Sequence, residues 1–137
     1  MTDSAPTDHG FPSVLLRGGL AAVLAVLANV GLVLGVGVLD IDPGFRALTV
    51  PPVAFLSALG TGGATVVYWL LRRYASDPDR TFVRVAAGVL LISFVPDVAL
   101  LAVDPAATPL AVVVLVAMHV VVAVVSVGLL VYWRAGQ

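Results

Sequence analysis

Apolar residues in this chain fall into four long runs, and polar residues are confined to the breaks and to a few isolated positions inside the runs. The runs cover 13–39, 51–74, 78–103 and 109–133. Each exceeds the ~20 apolar residues that a helix needs to cross a hydrocarbon layer of ~30 Å. Helices of ~25 residues, rising ~1.5 Å per residue, are long enough to span with tilt. The pattern predicts an all-α fold, a four-helix transmembrane bundle whose short links make neighbouring helices antiparallel.

The breaks carry start and stop chemistry. Ser13, after Pro12, is expected to cap the first helix, and Pro51-Pro52 opens the second. Asp77-Pro78 and Thr108-Pro109 each put a capping side chain before a proline in the first turn. Asp42-Pro43-Gly44 is a turn signal, followed by a short interfacial stretch over Gly44–Thr49. Residues 1–12 read as a disordered polar tail and 13–137 as one membrane domain. The tail lacks the positive start of a cleavable leader, so the first run is expected to remain a helix.

Composition sharpens this picture. Hydrophobic residues make up 61% of the chain and charged ones 11%, against ~45–50% apolar in soluble domains. Mean hydropathy is +1.11. A net charge of −1 offers no basic surface for nucleic acid. With no cysteine, disulfides, thiolate metal sites and thiol nucleophiles are excluded.

Arginine placement sets the expected orientation. Four spans put Arg17, Arg72, Arg73, Arg80, Arg84 and Arg134 on one side, while Arg46, Asp40, Asp42 and Asp104 lie on the other. The positive-inside rule then places both termini in the cytoplasm, with the protein multi-pass in the plasma membrane. Tyr68, Trp69, Tyr74, Tyr132 and Trp133 gather at the same side, as an interfacial aromatic belt would.

The candidate chemistry lies at depth. Asp97 is the one acid at depth, with Ser93 one turn before it and Pro96 expected to free the Ile92 carbonyl and bend the helix. His119 lies about ten residues into the fourth run. Asn29 lies mid-span in the first, and Ser57, Thr61, Thr65 and Tyr68 form a stripe on the second. Counting rises puts Ser57 level with Asp97, and Thr61 level with His119 and Asn29. The candidate polar cluster is therefore Asp97, His119, Ser93, Asn29, Ser57 and Thr61. It reads either as a structural knot of interhelical hydrogen bonds or as a hydrated pocket in which Asp97 and His119 exchange protons. Ser57, Thr61 and Thr65 have a plainer role available, bonding carbonyls of their own helix.

Gly31-x-x-x-Gly35, with Ala28 on its stripe, is a close-packing motif. It suits packing within the chain or against another copy. The arginine rim suits topology determination first and a phosphate site second.

Several chemistries do not fit. A haem bundle wants two axial ligands and catalytic zinc three, whereas His119 and Asp97 supply at most two. No serine has a nucleophile context, and Asp97 has no acidic partner. No catalytic residue, cofactor or metal is therefore expected.

The segment Leu90-Leu91-Ile92-Ser93-Phe94-Val95-Pro96-Asp97, with Met118-His119 later, resembles an uncharacterised family of small prokaryotic four-helix membrane proteins, a domain of unknown function. Ser93, Pro96, Met118 and His119 match its pattern, and the resemblance runs from Val14 to Arg134. It implies a four-span architecture and supplies no activity. The expected function is a non-enzymatic integral membrane protein whose polar cluster is structural or binds a small ligand. The alternative is a small proton-coupled transporter or channel-like oligomer using Asp97 and His119. The expected surroundings are the lipid bilayer and either further copies or a partner membrane protein.

Overall fold

The computed structural model describes residues 10–40 and 44–133, and within them the chain is helical with no strand. Four helices, α1 (Phe11–Val38), α2 (Val50–Tyr74), α3 (Pro78–Val103) and α4 (Pro109–Val127), carry the fold. A 3-10 turn, Arg46–Leu48, precedes α2, and a π-helical turn, Gly128–Tyr132, extends α4. All four helices, α4 counted with its π turn, are long and apolar enough to cross a membrane.

The helix starts follow local chemistry. Asp77 Oδ1 accepts the Arg80 N–H at 3.1 Å and Thr108 Oγ1 accepts that of Ala111 at 3.2 Å, each closing a free first-turn donor. Ser13 does not cap α1. The helix begins two residues earlier, at Phe11, with Gly10 as its N-cap. Ser13 is already helical and its hydroxyl donates back to the Gly10 carbonyl at 2.9 Å. Most of the tail expected over 1–12, and Asp42-Pro43 of the expected turn, lie outside the described residues. The chain leaves α1 through Asp40 at φ 53, and Gly44 at φ 104 precedes the 3-10 turn. α3 runs without interruption through Pro96.

α1 packs chiefly on α2 and also on α4, and α3 packs on α4 and α2. α2 and α4 touch across the bundle, while α1 and α3 hardly meet. The α1 residues facing inward are Val14, Gly18, Ala21, Ala25, Asn29 and Val33, a stripe at helical spacing made mostly of small side chains. Against it lies the α2 stripe Val53, Ser57, Thr61, Thr65 and Tyr68. A Cβ on Gly18 would stand 2.8 Å from Thr65 Cβ, so only glycine lets the two backbones approach here.

Two apolar clusters hold the ends. One joins Val33, Phe45, Leu48, Val53, Ala111, Leu115 and Met118. The other joins Val14, Tyr68, Phe82, Leu130 and Val131. In the second, Tyr68 meets Phe82 edge to face at 5.1 Å and donates its hydroxyl to Asp79 Oδ1 at 2.7 Å. Tyr68 is thus an inward residue and not part of an interfacial belt. Tyr74 and Tyr132 are well exposed at this end, and Trp69 lies between Phe11 and the Arg73 guanidinium.

The close-packing role expected within the chain falls to Gly18, not to Gly31 and Gly35. A Cβ on either of the latter meets nothing within 4 Å. Their stripe, turned away from Asn29, lies on the outer surface of α1.

Candidate functional site

The six polar residues read from the sequence do not form one cluster. The helices divide them into two pairs and two side chains that bond within their own helix. Asn29, fully buried on the small-residue face of α1, donates from Nδ2 to Ser57 Oγ at 2.9 Å and to the Met118 carbonyl at 3.3 Å. One amide therefore ties α1 to α2 and α4 at the same depth. Its Oδ1 is buried with no partner among the described residues, as is Ser126 Oγ further along α4.

Asn29 meets Ser57 and not Thr61, the residue that rise-counting placed level with it. The register is pinned by Gly18 against Thr65, which moves α2 about one turn from the height inferred from helix starts alone. Thr61 instead donates to the Ser57 carbonyl at 2.8 Å, and Thr65 to the Thr61 carbonyl at 2.7 Å. Both hydroxyls satisfy themselves within α2. Ser93 does the same in α3, donating to the Leu90 carbonyl at 2.6 Å, and has no bond to Asp97.

Asp97 and His119 are brought together on the seam between α3 and α4. Asp97 Oδ2 lies 3.0 Å from His119 Nδ1. The same nitrogen is 2.9 Å from the Leu115 carbonyl, one turn earlier in α4. A carbonyl can only accept, so Nδ1 carries the proton and directs it along its own helix. Oδ2 sits beside this N–H without a hydrogen bond of good geometry. The pair is therefore a close contact more than a directed bond. Its burial is lopsided: the Asp97 side chain is 8% exposed, the imidazole 40%. Nε2 has no partner among the described residues.

This arrangement has the parts for proton exchange between a carboxylate and an imidazole, and the imidazole is its more open member. The cleft bounded by the end of α1, Phe45 and Leu48 is lined by neither residue. Among the described residues no three His, Cys, Asp or Glu side chains converge on a point.

Three features of the site region were not read from the sequence. Gly18, Ala21 and Ala25 form the real α1 interface, and stepping back from Asn29 by four, eight and eleven residues would have found them. The Tyr68–Asp79 bond joins α2 to the start of α3. Arg17 reaches across to α4 and donates from Nη1 to the Leu130 carbonyl at 3.3 Å. That carbonyl lies in the widened π turn, where the usual helical partners are lost, so a cation there has both a hydrogen bond and a favourable dipole.

No curated protein and no solved structure matches the chain. A family profile does, over residues 9–135, and so takes in all four helices and both polar pairs: the chain belongs to DUF6069, a family of unknown function.

Proposed function

We propose that this protein is a non-enzymatic, multi-pass protein of the plasma membrane that serves as an accessory or scaffold subunit. In this reading both termini are cytoplasmic and successive helices are antiparallel. The pairings of Gly18 with Thr65 and Asn29 with Ser57 support the antiparallel arrangement, and the arginine distribution supports the orientation. The Asn29–Ser57–Met118 node is a structural lock, and the Asp97–His119 seam is where a second copy packs.

The observation that carries the assembly is the half-open imidazole. An ionisable side chain facing lipid halfway along a span is costly, and a neighbouring chain that supplies Nε2 with a partner removes that cost. The test is the oligomeric state of purified protein in lipid nanodiscs, read by subunit-counting fluorescence. Wild type should count as an oligomer and His119→Leu as a monomer; an unchanged count for His119→Leu would sink the assignment. A reporter fused to the C-terminus and active only in the cytoplasm checks the orientation.

A second reading is favoured by the 3.0 Å Asp97–His119 contact, which suits proton exchange in a proton-coupled transporter. Reconstituted protein would then carry a pH-driven flux that Asp97→Asn abolishes with the fold intact. Flux insensitive to that change would remove this reading.

A further inference from the structure

Where α3 begins, its first two turns and the π turn after α4 line an open cleft of about 540 Å³. The buried Val131, the half-buried Val83 and the exposed Tyr132 are among its lining residues. Two arginines, Arg80 and Arg84, one helical turn apart on α3, line it together with Asp77 and Asp79. Four charges in one small cleft would ordinarily pair among themselves. Among the described residues they do not, since neither guanidinium forms an ion pair.

The reason is that the carboxylates are held by other groups. Asp77 Oδ1 accepts the Arg80 backbone N–H as the cap of α3. Asp79 Oδ1 accepts the Tyr68 hydroxyl. Each carboxylate keeps its second oxygen for another donor. Among the described residues the cleft thus offers two guanidinium groups without an ion pair and two half-used carboxylates, beside the apolar Val83 and Val131. It lies at the helix ends where Trp69, Tyr74, Tyr132 and Trp133 gather, the depth of lipid headgroups.

We propose that this cleft binds a phosphoethanolamine group. The phosphate would lie between Arg80 and Arg84, which suit it through forked, charge-assisted donors. The primary ammonium would donate to the free oxygens of Asp77 and Asp79. A purely anionic headgroup fits less well, because it leaves both carboxylates facing a like charge. A quaternary ammonium fits less well because it has no N–H to donate. The group has two sources, the headgroup of a membrane phospholipid or a soluble phosphoethanolamine ester.

The test is native mass spectrometry of the full chain released from nanodiscs containing equal parts of phosphatidylethanolamine, phosphatidylglycerol and phosphatidylcholine. Wild type should retain phosphatidylethanolamine above the other two. Arg80→Gln with Arg84→Gln, both exposed, should lower that retention about a hundredfold, roughly tenfold for each lost charge-assisted contact. Asp79→Asn keeps an acceptor for Tyr68 and should shift the preference towards phosphatidylglycerol. Calorimetric titration of lipid-stripped protein with O-phosphoethanolamine distinguishes the sources: heat of binding assigns the soluble ester, and none, with lipid retention intact, assigns the headgroup. Equal retention of all three lipids, a wild-type preference for phosphatidylglycerol, or an Asp79→Asn variant with unchanged selectivity would each overturn the proposal. Helical circular dichroism confirms that the variants remain folded.

Discussion

The α1–α2 seam and the α3 flank are built from equally membrane-compatible helices, yet one is closed and the other open. The apolar stretch of α3 is 6% buried, against 28% for those of α2 and α4, although α2 is the least apolar of the four and α4 the most. Hydropathy therefore does not decide which helix is enclosed. Lipid is as apolar as leucine, so an apolar side chain gains little by leaving lipid for protein. What closes a seam is close backbone approach and an interhelical hydrogen bond. The α1–α2 seam has both, in Gly18 against Thr65 and Asn29 on Ser57. The α3 flank has bulky side chains such as Leu91, Ile92 and Val95 facing outward, and its one deep ionisable group, Asp97, meets an imidazole that is itself half open.

The contrast can be broken most forcefully at Gly18. Gly18→Leu should destabilise the bundle by about 3 kcal/mol, because Thr65 cannot retreat without losing its bond to the Thr61 carbonyl. Gly31→Leu, on the outer face of the same helix, should stay within about 0.5 kcal/mol. Reversible unfolding in mixed micelles, followed by helical circular dichroism, compares the two. Similar losses would mean that the α1 faces have been assigned the wrong way round.

Asn29→Ala comes next, with an expected loss of about 1–2 kcal/mol in the same assay, since it removes donors to both Ser57 and Met118. A double-mutant cycle with Ser57→Ala should return a coupling of about 0.5–1 kcal/mol, and a value of zero would leave the lock to packing alone.

His119→Leu should cost a monomer in detergent less than Asn29→Ala, about 0.5 kcal/mol, because Asp97 receives no well-directed bond from it. A larger loss than at Asn29 would make the α3–α4 seam the stronger of the two. The smallest effects belong to hydroxyls that bond their own helix. Ser93→Ala and Thr61→Val should each change stability by no more than about 0.5 kcal/mol.

Much of this was legible from residue order. The Ser57–Tyr68 stripe on α2 is the inner face of that helix, and Asp77 and Thr108 cap the helices they precede. Asp97 and His119 stand out because an ionisable side chain is conspicuous against an apolar run. The Gly31–Gly35 motif misled as an intrachain contact because glycine spacing has no preferred direction. The asparagine two residues earlier, which needs an enclosed partner, marked the inward face instead.

The sequence by itself determined the solvent, the number and approximate limits of the helices, and the polar residues that had to be accommodated. Those follow from local quantities: run length against bilayer thickness, cap chemistry, and the cost of a polar group in hydrocarbon. Only the tertiary structure decided which polar groups meet. That choice depends on register and rotation between helices, and in this chain a missing Cβ at Gly18 and the reach of Asn29 set both. Lipid penalises neither face of an apolar helix, so Asn29 could mark the inward face of α1 but apolar periodicity left the register between helices open.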